Sequence, residues 1–411
     1  MGEGISLDVA AEFGPVGSVA SLGNGGIWRR LVMTMQGGFK REVRPQALGT
    51  GQRHAEARAV LERAGDSPSA RTRPFDNAAV AAHLRAQYGI RVTSVVPIDE
   101  DPAFRPRGSW PGHYPSTLIV KRDDGPPWVA RVFSSPSDSV GRVEGDADIL
   151  RFLALQDFPA ERIAHEAAVS VLDGAGVIVT QFIGGGRPTD ADGRAKSPKV
   201  QRELASLLGR LHTLPPIAEA PARDGGSEEH DGGFFVGRPK QDLAAAMSFL
   251  VSVEDGVRSE GRELFEYLRN QVEIADDAEG LPEAFTHSNY HTWAAVGAPG
   301  KLAIVGWAGS GRGPRLPALA WLLRTASEVG PDHVDAVMHG YREHVRLTTE
   351  ELDRLPQVLN IRPLWLACLD FRRSIRSGLV SSPDQDLTGY GFYRPIAAEQ
   401  LAAQAITASQ A

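Results

Sequence analysis

The feature that most constrains the fold of this chain is the order of two unlike halves, separated by three consecutive glycines. Stretches rich in β-branched residues come first, with turn signals such as Asp123–Gly125 between them. They predict strands over Ser116–Lys121, Trp128–Phe133 and Gly176–Ile183. Gly184–Gly186 follows, and most of the later sequence has helical periodicity. The 411 residues are enough for a strand-rich part and a helical part with separate cores.

Helix signals support this division. A first helix is predicted over Ala78–Tyr88, because the glycine that follows suits a left-handed C-cap. A second is predicted over Val143–Leu155. The leucines of Leu204–Leu211 follow the i, i+3, i+4, i+7 spacing of an amphipathic helix. Thr348 and Glu351 have the spacing of a capping box, which predicts a late helix start.

The helical half contains a long window without acidic residues. The chain has 51 Asp and Glu residues, so 44 residues should hold about five, yet Ala284–Ser327 holds none. The window contains the strings H-S-N-Y-H-T-W-A, His287–Ala294, and I-V-G-W, Ile304–Trp307. Its formal charges are all positive: Lys301, Arg312, Arg315 and Arg324. We therefore expect a locally positive surface here, formed either by solvated loop arginines or by an anion-binding site.

Composition excludes several classes of function. A net charge of −7 gives no general attraction to nucleic acid or to an anionic membrane. No apolar run is long enough to span a bilayer. The single cysteine, Cys368, excludes an internal disulfide and favours a cytoplasmic protein. Arg outnumbers Lys 38 to 6, which is typical of a GC-rich bacterial genome.

Six strings, in order, resemble the aminoglycoside phosphotransferase family of small-molecule kinases, from about Phe75 to Ala398. They are W-V-A-R-V-F at Trp128, D-A-D-I-L-R-F-L at Asp146, V-I-V-T-Q-F at Val177, L-G-R-L-H-T-L at Leu208, H-S-N-Y-H at His287 and G-Y-R-E-H at Gly340. The resemblance implies an α+β, two-lobed protein-kinase-like fold, with a small strand-rich N-lobe and a larger helical C-lobe.

The division into parts follows from this resemblance. Residues 1–73 are Gly- and Arg-rich with little periodicity, and are predicted to be a flexible segment or an over-extended translation start. Residues 74–183 are the expected N-lobe. Residues 184–405 are the expected C-lobe, which contains the catalytic-loop region 284–318.

The resemblance also places the catalytic positions, and there this chain departs from the family. The position of the catalytic base is Asn289, whose amide can orient a hydroxyl but cannot take up its proton. The two metal-ligand positions are Ala294 and Gly306, so magnesium binding is doubtful. Two supporting acidic positions beyond them have become Pro314 and Ala318.

Other family positions persist, and they make ATP a possible ligand. Arg131 is at the strand position whose cation contacts nucleotide phosphates, with Asp146, or failing that Glu144, as the expected carboxylate partner. An ordinary surface ion pair is the alternative, and it would contribute roughly 0–1 kcal/mol. Gln181 and Phe182 lie in the run expected to meet adenine, although a buried strand would have the same sequence.

Two histidines four residues apart invite a metal interpretation. The family keeps both His287 and His291 as groups that shape the loop, and no third zinc ligand is in view.

Taken together, the replaced catalytic positions predict a pseudokinase that acts as a binding or regulatory module on a nucleotide, a small molecule or an unidentified protein. The alternative is a low-efficiency, ATP-dependent phosphotransferase acting on the hydroxyl of a small molecule.

Overall fold

The computed structural model describes residues 75–98, 104, 116–133, 140–190, 194–215, 237–376 and 395–410. All of them belong to one compact unit, Arg73–Ala411. The segment expected to be flexible, residues 1–73, lies outside the described residues. Within the described ranges, no helix is long and apolar enough to cross a membrane.

An antiparallel sheet of five strands forms the first part of the described chain. Its strands, in the spatial order β1-β2-β3-β5-β4, are β1 Val92–Pro97, β2 Ser116–Arg122, β3 Trp128–Phe133, β4 Val169–Leu172 and β5 Ala175–Gln181. The three strands predicted from the sequence correspond to β2, β3 and β5. The edge strands β1 and β4 were not predicted from the sequence.

Helices pack against both faces of this sheet. Helix α1, Asn77–Tyr88, starts at an Asp76 N-cap and ends at Gly89 with φ 64°, which confirms the predicted C-cap. Its buried face joins a core cluster with the side chains that β3 and β5 direct to that face. Helix α2, Val140–Leu155, lies close to β5: a Cβ on Gly176 would come within 2.6 Å of Val143. Only a glycine fits there without a shift of the helix.

The rest of the described chain is mostly helical. Its helices are α3 Pro198–His212, α4 Pro239–Val251, α5 Ser259–Glu273, α6 Leu316–Ser327, α7 Pro331–Arg342, α8 Thr349–Val358, α9 Ile361–Arg376 and α10 Pro395–Gln410. Two short antiparallel pairs interrupt them: β6 Glu283–Thr286 with β9 Gly311–Pro314, and β7 Ala295–Val296 with β8 Ala303–Ile304. This is an α+β fold, as the sequence predicted.

Three contacts show how tightly the helical part is built. Helix α3 buries the predicted leucine face against α7, and a Cβ on Gly340 would lie 2.2 Å from the carbonyl oxygen of Arg202. The predicted capping box is present at α8, where Thr348 and Glu351 exchange hydrogen bonds of 2.8 and 3.2 Å. Buried Glu351 also accepts two hydrogen bonds from Arg315, which fixes the start of α6 to α8.

Candidate functional site

The loop between β6 and β7 is shaped by a neutral histidine. The Nδ1 atom of His287 accepts the N–H of Asn289 at 3.1 Å, so its Nε2 donates to the carbonyl of Val305 at 3.2 Å. The ring meets Trp307 edge-on, with the ring centroids 4.8 Å apart. Burial is the main cause that lowers the pKa of His287 to about 4; the charge of Arg362 contributes, and the hydrogen bond to Val305 opposes the shift. His287 therefore holds the loop in shape and carries no charge at neutral pH.

Asn289, at the expected base position, is exposed and contacts an arginine. Its Oδ1 accepts a 2.6 Å hydrogen bond from Arg362, whose guanidinium lies 4.3 Å above the ring of Trp321. Burial lowers the pKa of Arg362 to about 9, against the opposing effect of the negative charge of Asp242. No local sequence signal marks Arg362, because α9 brings it to Asn289 from 73 residues away.

A small recess opens beside this contact. Arg362 and Ala318 line it, and no carboxylate is among its described lining residues. The hydroxyl groups of Thr286, Ser288 and Tyr290 also line it, but each donates to a backbone carbonyl at 2.8–3.0 Å. Arg362 is therefore the cation among the described lining residues of this recess.

Neither expected metal position carries a ligand side chain. Ala294 is buried in a short helical turn, where its carbonyl accepts the N–H of Val305 at 2.7 Å. Gly306 has a positive φ of 82°, and a Cβ there would have no neighbour within 4 Å. Among the described residues, no group of three or more His, Cys, Asp and Glu side chains could hold a metal ion.

A carboxylate that the sequence analysis missed lies at Gly306. Glu161 is 2% exposed; its Oε1 accepts the N–H of Gly306 at 2.9 Å. Its Oε2 accepts hydrogen bonds from Arg131 at 2.5 Å and from the Thr180 hydroxyl at 3.0 Å. The partner expected for Arg131 was Asp146, or failing that Glu144; the carboxylate that the structure places on Arg131 is that of Glu161. Asp146 lies buried on α2.

The backbone explains why Glu161 replaces the expected partner. The segment between α2 and β4 runs beside β5, with the N–H of Ala164 donating to Val179 and the N–H of Gln181 donating to Arg162. The N–H of Glu161 itself donates to the carbonyl of Ile304 at 3.1 Å. An irregular segment therefore crosses from the sheet to β8 and carries the carboxylate between them. No periodic pattern marks such a segment in the sequence.

A second arginine lies near Arg131. The Nε of Arg187 donates to the carbonyl of Phe104 at 3.1 Å, and its buried Nη1 has no hydrogen-bond acceptor among the described residues. Burial lowers the pKa of Arg187 to about 10, and the charge of Arg131 contributes. Burial and the positive charges of Arg362 and Arg187 also hold the pKa of His291 well below its usual value. Two cations, Arg362 and Arg187, thus oppose protonation of His291.

The two residues expected to meet adenine have their N–H groups engaged. The N–H of Gln181 donates to Arg162 at 2.8 Å, and that of Phe182 donates to Pro127 at 3.1 Å. The ring of Phe182 packs edge-on against Phe104, with centroids 5.6 Å apart. Contact with adenine stays a prediction for both residues. The groups that would make this contact are their carbonyl oxygens and the Phe182 ring.

Comparison with known proteins agrees with the fold. The sheet followed by the helical part is a kinase-like fold. A sequence model of the phosphotransferase enzyme family matches residues 110–355, more than half of the chain. The chain belongs to that family. No curated protein matches it.

Several solved structures are similar to this chain at low sequence identity. The AMP-bound spectinomycin phosphotransferase APH(9)-Ia is 13% identical, with a TM-score of 0.50, and the match covers 80% of this chain and 99% of that one. The amicoumacin kinase hAmiN, in complex with AMP-PNP and Ca²⁺, is 12% identical, with a TM-score of 0.49 and coverage of 82% and 94%. The macrolide 2′-phosphotransferase MphH from Brachybacterium faecium is 17% identical, with a TM-score of 0.46 and coverage of 79% and 96%.

Proposed function

We propose that this chain is a pseudokinase of the phosphotransferase enzyme family, a cytoplasmic bacterial protein that binds a ligand in its cleft without transferring phosphate. The family match supports a phosphotransferase-like protein. The spectinomycin phosphotransferase and the amicoumacin kinase bind AMP and AMP-PNP. We extend this to a nucleotide or small-molecule ligand here.

The proposal rests on the hydrogen bonds that the carboxylate beside Gly306 accepts. Phosphoryl transfer depends on magnesium ions held by carboxylates near the phosphates. Glu161 is the carboxylate beside Gly306, and both its oxygens accept hydrogen bonds from Arg131, Thr180 and the Gly306 N–H. A magnesium ion at this carboxylate would compete with the Arg131 guanidinium for its negative charge.

The proposed base position supports the same conclusion. An Asn side chain has no basic group, and a positioned base contributes about 10²–10⁴-fold to such reactions. Here the Oδ1 of Asn289 is already bonded to Arg362. Orientation of an acceptor hydroxyl by this amide would therefore compete with the arginine.

The test is ATP turnover with magnesium, measured as ADP release with a panel of small hydroxyl compounds. The wild-type chain is compared with the variant Asn289→Asp/Gly306→Asp. The positive φ of Gly306 disfavours most side chains, but Asp tolerates it and space is open there. The variant Asn270→Asp, at an exposed position on α5, controls for a negative charge added away from positions 289 and 306.

We expect background rates from the wild-type chain and from the control. Magnesium-dependent ADP release by the double variant would support the assignment of positions 289 and 306. Turnover by the wild-type chain well above the background would refute the proposal and establish the alternative, a low-efficiency phosphotransferase.

A further inference from the structure

We infer that Arg362 is an autoinhibitory residue of this cleft. It engages the side chain at position 289, and it would hold a carboxylate there in an ion pair that serves poorly as a base. The inference deepens the proposed function and rests on its assignment of position 289. Arg362 is then a second barrier to phosphoryl transfer, which an aspartate at position 289 alone would not remove.

The contact with Asn289 is short, and the arginine that makes it is held in place. Nη2 of Arg362 donates to Oδ1 of Asn289 at 2.6 Å, and Nη1 donates to the carbonyl oxygen of Ser288 at 3.5 Å. The guanidinium lies 4.3 Å from the ring centroid of Trp321, which is buried on α6. A planar cation that rests on an aromatic ring and donates to two consecutive loop residues has little freedom to turn away.

The charge of Arg362 is balanced inside the protein. Burial lowers its pKa to about 9, and the negative charge of Asp242, which is buried on α4, opposes this shift. The guanidinium is therefore charged at neutral pH. His287 accepts the N–H of Asn289 and is neutral at that pH, because its pKa is about 4. Arg362 is thus a permanent cation at position 289 and needs no ligand to stay there.

An acceptor hydroxyl would have to compete with this arginine. The Oδ1 of Asn289 is the atom with which the amide could accept a hydroxyl proton in a hydrogen bond, and Arg362 already donates to it. A hydrogen bond from a charged donor is roughly twice as strong as one between neutral groups. A neutral hydroxyl therefore does not displace the guanidinium readily.

An aspartate at position 289 would strengthen the contact rather than open the site. The planar fork of an arginine matches the two oxygens of a carboxylate. A cation at hydrogen-bond distance lowers the pKa of a carboxyl group, and a general base works best when its pKa is near the operating pH. The pairing would therefore hinder the carboxylate from taking the proton of an acceptor hydroxyl as the hydroxyl oxygen bonds to the phosphoryl group and ADP leaves.

A double-mutant cycle tests the pairing. Asn289→Asp is made in the wild-type chain and in Arg362→Met, whose side chain fills similar space without a donor, and unfolding is measured in urea at pH 7. We expect Asn289→Asp to lower the unfolding equilibrium constant about fivefold or more when Arg362 is present, and to leave it nearly unchanged when it is absent. Arg362→Lys keeps a charge near Asp242 and should retain only part of the coupling.

The matched control is Arg373→Met. Arg373 is an exposed arginine on the same helix, paired with Asp370, about 16 Å further along at 1.5 Å per residue. This exceeds the screening length of about 8 Å at physiological salt, so Asn289→Asp should have the same effect with and without Arg373.

Turnover gives a second measurement. ADP release with magnesium and the panel of hydroxyl compounds is compared in Asn289→Asp/Gly306→Asp and in the same variant with Arg362→Met added. We expect removal of Arg362 to raise the rate about tenfold or more, because a free base contributes about 10²–10⁴-fold. Arg373→Met in its place should have no effect.

Two results would overturn the inference: an effect of Asn289→Asp on unfolding that does not depend on Arg362, or a double variant that turns over as fast as the triple variant. If neither variant turns over, the assignment of positions 289 and 306 in the proposed function loses its support. The unfolding cycle then still decides whether Arg362 pairs with a carboxylate at position 289.

Discussion

Replacement of Glu161 by Gln should cost the protein a large part of its stability. The change keeps the size of the side chain but leaves the Arg131 guanidinium facing a neutral amide. The side chains of Glu161 and Arg131 are only 3% and 12% exposed, so water cannot solvate the guanidinium once the negative charge is removed. Breaking a buried ion pair by removing one partner costs about 3–5 kcal/mol. Because the amide oxygen of Gln can still accept one hydrogen bond, we expect a loss of about 3 kcal/mol.

The free energy of unfolding, measured in urea, tests this value, and Glu343→Gln is the matched control. Glu343 pairs with Arg202 at 2.8 Å, but their side chains are 39% and 58% exposed, so its loss should cost roughly 0–1 kcal/mol. A double-mutant cycle with Arg131→Met should give a coupling energy close to the full effect. If Glu161→Gln costs no more than Glu343→Gln, the carboxylate does not tie the sheet to Gly306 and the reasoning fails.

Further predictions concern packing, pH and thiol reactivity. Gly340→Ala forces a Cβ to within 2.2 Å of a backbone oxygen of α3 and should lower the unfolding free energy by about 1–3 kcal/mol or more, whereas Gly141→Ala, with open space, should not. Burial lowers the pKa of His287 to about 4 and that of His212 to about 3, so the unfolded state takes up protons first as the pH falls below 6.5. Stability should therefore fall from pH 6.5 to about 4 by roughly 1.4 kcal/mol per pH unit for each histidine, and unfolding curves across that range would contradict this if they coincided. Burial raises the pKa of the Cys368 thiol well above its usual value, so labelling by a thiol reagent at pH 8 should be slow until urea is added. Rapid labelling of the folded chain would show that the thiol is accessible.

The regular elements of the fold were predictable because each has a local signal. Alternating and β-branched runs marked β2 and β3, and a glycine marked the end of α1 at Gly89. The Thr348 capping box was visible because its two partners are three residues apart. Such features depend on residues that are close together in the sequence, so they can be predicted from it.

The side chains of the cleft were harder to predict, because distant segments bring them together. Glu161 lies in an irregular segment and meets Gly306, which is 145 residues away in the sequence. Arg187 lies outside the helices and strands and Arg362 lies in the first turn of α9, and neither position carries a periodic signal. The expected pairing of Arg131 with Asp146 assumed that the partner would lie on a helix. The structure places that carboxylate on the crossing between α2 and β4.

The loop around His287 owes its shape to neutral hydrogen bonds. His287, Ser288 and Trp307 each donate from the side chain to a backbone carbonyl, at 2.9–3.2 Å. These bonds use no side-chain atom of positions 289, 294 or 306. A substitution that suits the local backbone, such as Asn289→Asp at an exposed position, therefore leaves them intact, so the chemistry of this cleft can be engineered without rebuilding the loop.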